Sequence, residues 1–104
     1  MIRRAPGTQR GIVATYMGAD GNLAPLLHIP GGGSAAPLTE ELVRERQHLV
    51  KMAGREVFKA AVLAMSRSTD AALVRAGLTP ADIDIRVPHQ ANLRIIEATA
   101  KHAN

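Results

Sequence analysis

The chain is short, basic and free of cysteine, and these properties already exclude several classes of protein. Its 104 residues have the length of one small domain, with 46% hydrophobic and 21% charged residues. That balance is typical of a globular protein and not of a disordered one. Since there is no cysteine, these residues hold no disulfide, no thiolate metal site and no thiol nucleophile.

The net charge of +4 is compatible with nucleic acid, an anionic membrane or an acidic protein as partner. The basic residues are scattered and the only aromatic side chains are Tyr16 and Phe58, which disfavours base stacking in a basic groove. The N-terminal residues lack the apolar core of a signal peptide, and no apolar stretch approaches the ~20 residues of a membrane span. We therefore expect a cytoplasmic protein that binds neither nucleic acid nor membrane.

The first half of the chain predicts two strands separated by a long loop. Residues 1–10 are basic and turn-rich, and the β-branched, apolar run at residues 11–17 predicts a strand. Prolines and a glycine triplet at residues 23–37 predict a loop without regular structure. The triplet lacks the sequence of a phosphate-binding loop. A short helical start at residues 39–42 precedes a second predicted strand at residues 48–52.

The second half predicts a long helix over residues 55–76, a strand over residues 83–87 and a last helix. The long helix has an apolar stripe formed by Phe58, Val62, Met65, Thr69, Ala72, Leu73 and Ala76. Gly77 is expected to end it with a contact from Leu78, and Thr79 to cap a single helical turn at residues 79–82.

Asn92 is expected to cap the last helix. The spacing predicts buried side chains at Leu93, Ile96, Ala100 and Ala103, and a polar face at Arg94, Glu97 and Lys101.

The order strand, loop, strand, long helix, strand, helix predicts an α/β layer architecture. We expect residues 83–87 to form a central parallel strand, because their alternating apolar side chains need cover and the preceding connection is helical. The last helix reaches the terminus without a cap. We therefore expect an incomplete domain, recognisable by helix and strand faces that stay apolar and exposed.

Residues 87–96 read Val-Pro-His-Gln-Ala-Asn-Leu-Arg-Ile-Ile and place His89 between a predicted strand and a predicted helix. In open α/β sheets this position faces the ligand crevice at the carboxyl ends of the strands. The alternative is a hydrogen-bonded core histidine without a chemical role. The other histidines, His28, His48 and His102, lack metal-ligand spacing, so no metal site is expected.

Residues 87–96 resemble the histidine motif of the β-ketoacyl-acyl-carrier-protein synthase III family, condensing enzymes with the thiolase fold. Residues 52–59, Met-Ala-Gly-Arg-Glu-Val-Phe-Lys, resemble the segment that this family places upstream of the histidine. The likeness extends over residues 11–104. It implies a partial thiolase-like fold and a fragment of an enzyme that starts fatty acid biosynthesis, joining an acyl-CoA primer to malonyl-acyl-carrier protein by decarboxylative Claisen condensation.

The resemblance also implies roles for individual residues. His89 matches the catalytic histidine, which with an asparagine hydrogen-bonds the malonyl thioester carbonyl as carbon dioxide leaves. The positions that match the pantetheine channel are Met52, Gly54, Phe58, Ala91, Asn92 and Ile95. The residues expected to contact the acyl-carrier protein are Gln90, Arg94, Lys59 and Lys101. The substrates are CoA and phosphopantetheine thioesters, no cofactor is implied, and full-length members are homodimers.

Two features limit what these residues can do alone. The family's nucleophilic cysteine and its second active-site asparagine have no counterpart here, so we expect the isolated chain to be inactive. The alternative function is a non-catalytic α/β module that keeps a surface for acyl-carrier protein. The polar face of the last helix also has an alternative to carrier-protein binding, namely a solvated surface without a partner. Primer chain length is not predicted.

Overall fold

The computed structural model describes residues 11–102. Its helices are α1 (Glu40–Arg44), α2 (Gly54–Ala76) and α3 (Leu93–His102), and its strands are β1 (Leu27–His28) and β2 (Lys51–Met52). Short 3₁₀ helices lie at Gly21–Leu26 and Pro80–Asp82. The described residues divide into two compact units, one made of residues 19–61 and the other of residues 11–18 and 62–102. The predicted division at residue 10 falls at the edge of the described residues and stays a prediction.

Strands β1 and β2 form an antiparallel pair in the first unit. Leu27 lies opposite Met52 and His28 opposite Lys51, and the Ala53 N–H extends the pairing by donating to the Leu26 carbonyl at 2.8 Å. Strand β2 confirms part of the strand predicted at residues 48–52.

The prediction of an irregular loop over residues 23–37 is wrong at its beginning. A 3₁₀ helix that contains Pro25, followed by β1, occupies residues 21–28. Pro25 is the fifth of the six residues of this helix; its ring fixes φ near −65°, a value that a 3₁₀ helix also uses. Two strand residues then fit between Pro25 and Pro30. The Asp20 carboxylate accepts from the Asn22 N–H at 3.0 Å and caps this 3₁₀ helix.

Helix α1 confirms the helical start predicted at residues 39–42. The Thr39 hydroxyl accepts from the Leu42 N–H at 3.2 Å, which satisfies one free donor of the first turn. After α1 the chain reverses at Arg46, and the Gln47 carbonyl accepts from the Gly31 N–H at 2.8 Å. A Cβ at the buried Gly31 would lie 3.4 Å from the Leu42 side chain, so glycine lets this loop pack closely on the end of α1.

Helix α2 and its C-terminal end follow the prediction. Every residue of the predicted apolar stripe is buried or half-buried. Gly77 has φ +67°, its N–H donates to the Val74 carbonyl at 3.2 Å, and the Leu78 N–H donates to the Leu73 carbonyl at 3.0 Å. This pair of hydrogen bonds is the Schellman motif that a C′ glycine favours.

The strands predicted at residues 11–17 and 83–87 are wrong for this chain, because both segments lie outside the strands of the described part. Ile12, Ile85 and Val87 are 76–79% exposed. A strand needs a neighbour that pairs with its backbone groups, and residues 11–102 supply none for these segments. The central parallel strand expected before His89 is therefore not formed.

Helix α3 begins after Asn92, whose Oδ1 accepts from the Arg94 N–H at 2.9 Å and confirms the predicted cap. Its buried face differs from the prediction: Leu93 is 68% exposed and Ala100 is exposed, whereas Thr99 is only 1% exposed. The threonine tolerates burial because its hydroxyl donates to the Ile95 carbonyl at 2.8 Å. The predicted polar face is confirmed, since Arg94, Glu97 and Lys101 are all exposed; Ala103 lies outside the described residues.

The apolar core of the described residues is small. Leu73, at 8% exposure, is their one fully buried hydrophobic side chain, whereas many large hydrophobic side chains are more than half exposed. Exposed apolar faces on the segments predicted as strands match the expectation of an incomplete domain.

Candidate functional site

His89 lies in the segment that joins the 3₁₀ helix at Pro80–Asp82 to α3, and its side chain is exposed. The prediction that it lies just before a helix is confirmed, because α3 begins at Leu93 after the cap Asn92. Within residues 11–102 the side chain is not buried, so in this chain it is not a core histidine. An imidazole in this position is free to present an N–H to a ligand oxygen, which is what stabilisation of an oxyanion requires.

The segment around His89 is held at both sides. After it, Asn92 caps α3 through the Arg94 N–H. Before it, the half-buried Arg86 donates from Nη1 to the Thr99 carbonyl at 3.4 Å. In the sequence, His89 lies midway between Arg86 and Asn92.

The predicted carrier-protein residues of this unit are all exposed. Gln90 precedes α3, and Arg94 and Lys101 lie about two helical turns apart, which places both on one face of the helix. Glu97 lies on the same face, so the two exposed cations are offset by one carboxylate and leave a small net positive charge toward an acidic partner. Of the predicted channel residues here, Ala91 and Asn92 are exposed and Ile95 is half-buried.

The remaining predicted site residues belong to the unit of residues 19–61. Met52 ends β2 and is 63% exposed, and Gly54 is the first residue of α2. A Cβ at Gly54 would lie 3.9 Å from the Met52 Cε, so the methionine side chain lies over the start of the helix. One turn later, Phe58 is half-buried and Lys59 is exposed. Their roles in a channel and in carrier binding stay predictions.

Two arginines that the sequence did not single out connect distant segments. Arg75 donates from Nη1 to the Thr15 carbonyl at 2.7 Å, and its guanidinium lies 5.1 Å from the centre of the Tyr16 ring. This cation–π contact holds residues 15 and 16 against the last turn of α2. Arg86 makes the comparable link to α3. In the sequence both look like ordinary surface charges, and no motif could have found them.

An open apolar groove of about 440 Å³ lies in the same unit. It is lined by three segments: residues 12–14, the last turns of α2 with Leu78, and Ile83, Ile85 and Arg86. Within residues 11–102, no cluster of histidine and carboxylate side chains has the arrangement of a metal site. No helix in that range is long and apolar enough to span a membrane.

Comparison with known proteins decides the family. The family model described as 3-oxoacyl-[acyl-carrier-protein (ACP)] synthase III C terminal matches residues 73–104. The β-ketoacyl-[acyl-carrier-protein] synthase III of Caldanaerobacter subterraneus is 50% identical over 91 residues, which are 88% of this chain and 28% of that protein. The chain belongs to the β-ketoacyl-acyl-carrier-protein synthase III family. The synthase III of Clostridioides difficile is 45% identical over 96 residues, which are 92% of this chain and 29% of that protein.

Solved structures with the same family name share the fold. The synthase III of Pseudomonas aeruginosa matches with a TM-score of 0.74 and 32% identity, over 96% of this chain and 28% of its own. The Thermus thermophilus synthase III matches with a TM-score of 0.72 and 39% identity, over 92% of this chain and 29% of its own. These matches confirm the predicted α/β class and the partial thiolase-like fold. The chain spans somewhat more than a quarter of the length of the family members it matches.

Proposed function

We propose that this chain supplies the histidine-bearing part of a 3-oxoacyl-acyl-carrier-protein synthase III, an acyltransferase of fatty acid biosynthesis. The whole enzyme condenses an acyl-CoA primer with malonyl-acyl-carrier protein and releases carbon dioxide. The observation that carries the proposal is the exposed His89 directly before α3, within residues that match the family's C-terminal model.

His89 acts in the decarboxylation step. As the bond between the malonyl Cα and its carboxylate breaks, the electron pair moves onto the thioester oxygen, which becomes an enolate. The imidazole donates an N–H to that oxygen and stabilises the developing charge. Loss of one such donor typically lowers a rate by ~10²–10³-fold.

In the complete enzyme, the residues that contact the phosphopantetheine arm of the substrate are Met52, Gly54, Phe58, Ala91, Asn92 and Ile95. Gly54, which has no side chain, allows the arm to approach the backbone. The exposure of Met52 and the half-burial of Phe58 are compatible with side chains that line a channel.

The acyl-carrier protein contacts Gln90, Arg94, Lys59 and Lys101. Acidic carrier domains are attracted by exposed cations, and Arg94 lies next to the histidine segment on the polar face of α3. The complete enzyme is a cytoplasmic homodimer that needs no cofactor. The lack of cysteine in these 104 residues favours a second candidate, a module that binds the carrier protein without catalysis.

The test is a chimera in which this chain replaces the matching 91 residues of the Caldanaerobacter relative, which supplies the rest of the enzyme. His89→Ala should lower the rate of malonyl decarboxylation by ~10²–10³-fold, leave carrier binding intact, and leave acyl transfer from acyl-CoA near normal. His48→Ala, at another exposed histidine, is the matched control. Unchanged decarboxylation with His89→Ala would refute the catalytic role, and carrier binding without turnover in the unsubstituted chimera would favour the second candidate.

The carrier surface is tested in the same chimera with Arg94→Glu. We expect slower association with acyl-carrier protein at low salt, a smaller effect at high salt, and a near-normal first half-reaction with a small acyl-CoA. Arg67→Glu, at an exposed arginine of α2, is the control for the charge change. Association of Arg94→Glu at the parent rate in low salt would show that the polar face of α3 is only solvated.

A further inference from the structure

Within residues 11–102 no strand pairs with the segment that carries His89, so the segment has no regular structure there, yet its chemistry requires a defined position. Residues 83–92 lie between a short 3₁₀ helix and α3, and His89 and Gln90 are exposed. An exposed irregular segment normally moves on the nanosecond timescale. A group that stabilises a transition state must instead be held within a fraction of an ångström.

Arg86 lies three residues before His89, where it can restrain this segment. Its side chain is half-buried and lines the apolar groove together with Leu73, Leu78 and Ile83. Placing a guanidinium in apolar surroundings costs free energy unless it finds an acceptor. Its acceptor is the Thr99 carbonyl, at 3.4 Å from Nη1.

Thr99 is a rigid attachment point. It is 1% exposed, lies inside α3, and its hydroxyl donates to the Ile95 carbonyl at 2.8 Å. The bond from Arg86 therefore connects the irregular segment before His89 to the buried face of α3. With the Asn92 cap on the other side, it closes the segment into a short loop with both ends fixed.

We propose that Arg86 is a positioning residue, which orders the loop of residues 87–91 and so holds His89 in its working orientation. The inference rests on the proposed function only for its catalytic consequence, because the ordering of the loop is a property of this chain. A loop fixed at both ends has fewer conformations, so less ordering entropy is lost when a substrate oxygen meets the imidazole.

The first test uses ¹⁵N relaxation of the 104-residue chain. Arg86→Met keeps an apolar side chain of similar length in the groove and removes the donor, whereas Arg86→Lys restores a donor. In the parent we expect order parameters near 0.85 at His89 and Gln90, and in R86M values below about 0.6. R86K should recover part of the loss, and Arg67→Met on the exposed side of α2 should change nothing.

Three outcomes bear on the proposal. Loss of order confined to residues 87–91 in R86M, with partial rescue in R86K, supports it. Unchanged order parameters in R86M overturn it. Simultaneous loss of order in α2 around Leu73 also overturns it, because Arg86 would then serve general packing.

The catalytic consequence is measured in the chimera. R86M should lower kcat for malonyl decarboxylation by about tenfold, since a misplacement near 1 Å can cost up to ~10²-fold, while KM and acyl transfer from acyl-CoA stay unchanged. R86K should recover part of kcat. If His89→Ala leaves decarboxylation unchanged, the proposed function fails, whereas the relaxation result still decides the role of Arg86 in the loop. An unchanged kcat in R86M beside an inactive His89→Ala variant would overturn the positioning role itself.

Discussion

At the scale of single residues, one arginine adopts a backbone conformation that usually requires glycine. Arg46 has φ +59° and occupies the position after α1 that usually holds glycine. Its N–H donates to the Val43 carbonyl at 3.0 Å, and the Gln47 N–H donates to the Leu42 carbonyl at 2.8 Å. These bonds form the same motif that ends α2 at Gly77. At Arg46 the left-handed conformation is strained by a Cβ, whereas at Gly77 it is not.

Replacing Arg46 with glycine should therefore stabilise the chain. Relief of the strain at positive φ outweighs the extra freedom of glycine in the unfolded state, and the net gain should be about 0.5–1 kcal/mol. Urea unfolding measures the difference. Arg44→Gly, at the last residue of α1, is the matched control and should lower stability, because glycine disfavours the helical backbone. A loss of stability with Arg46→Gly would mean that the arginine side chain contributes more than the strain costs.

At the scale of elements, the 3₁₀ helix at Pro80–Asp82 shows how a short element is stabilised by its own side chains. The Asp82 carboxylate accepts from the Thr79 hydroxyl at 2.7 Å and from the Thr79 N–H at 2.8 Å. The Asp82 N–H in turn donates to the Thr79 carbonyl at 3.1 Å. The hydroxyl bond, followed by the backbone bond, lowers the pKa of Asp82 below its ordinary value. The turn therefore depends on an ionised carboxylate.

This dependence predicts an effect of pH on stability. Because the folded pKa of Asp82 lies below the unfolded one, its contribution is complete above about pH 5 and is lost as the pH falls through the folded pKa. Asp82→Asn should be less stable than the parent at neutral pH, and the gap should narrow on acidification. Denaturant unfolding between neutral and acidic pH measures it, with Asp84→Asn as a control that removes the same charge outside the turn. Identical pH profiles for the two variants would contradict a stabilising role of the ionised Asp82.

At the scale of the whole molecule, the chain has the fold of its family but only a small hydrophobic core. Leu73 is its one buried hydrophobic residue within residues 11–102, while Met17, Val74 and Ile85 are 79–92% exposed. In a soluble protein, extended apolar faces of this kind are normally covered by other elements. The family members it matches are more than three times as long, so their other residues are the natural source of that cover.

For the isolated chain we expect no condensation of acyl-CoA with malonyl-acyl-carrier protein. Acyl transfer requires a nucleophile, the 104 residues hold no cysteine, and His89 supplies only part of one step. The measurement is product formation by the purified chain, free of host synthase, with the active chimera as positive control. Turnover by the chain alone would show that another side chain accepts the acyl group.

The sequence alone determined the features that depend on neighbouring residues. Thr39 and Asn92 cap helices and Gly77 ends one, because these hydrogen bonds form within a few positions of the chain. The histidine motif identified the family for the same reason, since it lies within ten consecutive residues. The tertiary structure alone decided which predicted strands formed and which face of α3 was buried. Strand pairing and burial depend on distant partners, and so does Arg86, whose acceptor Thr99 becomes its neighbour only after folding.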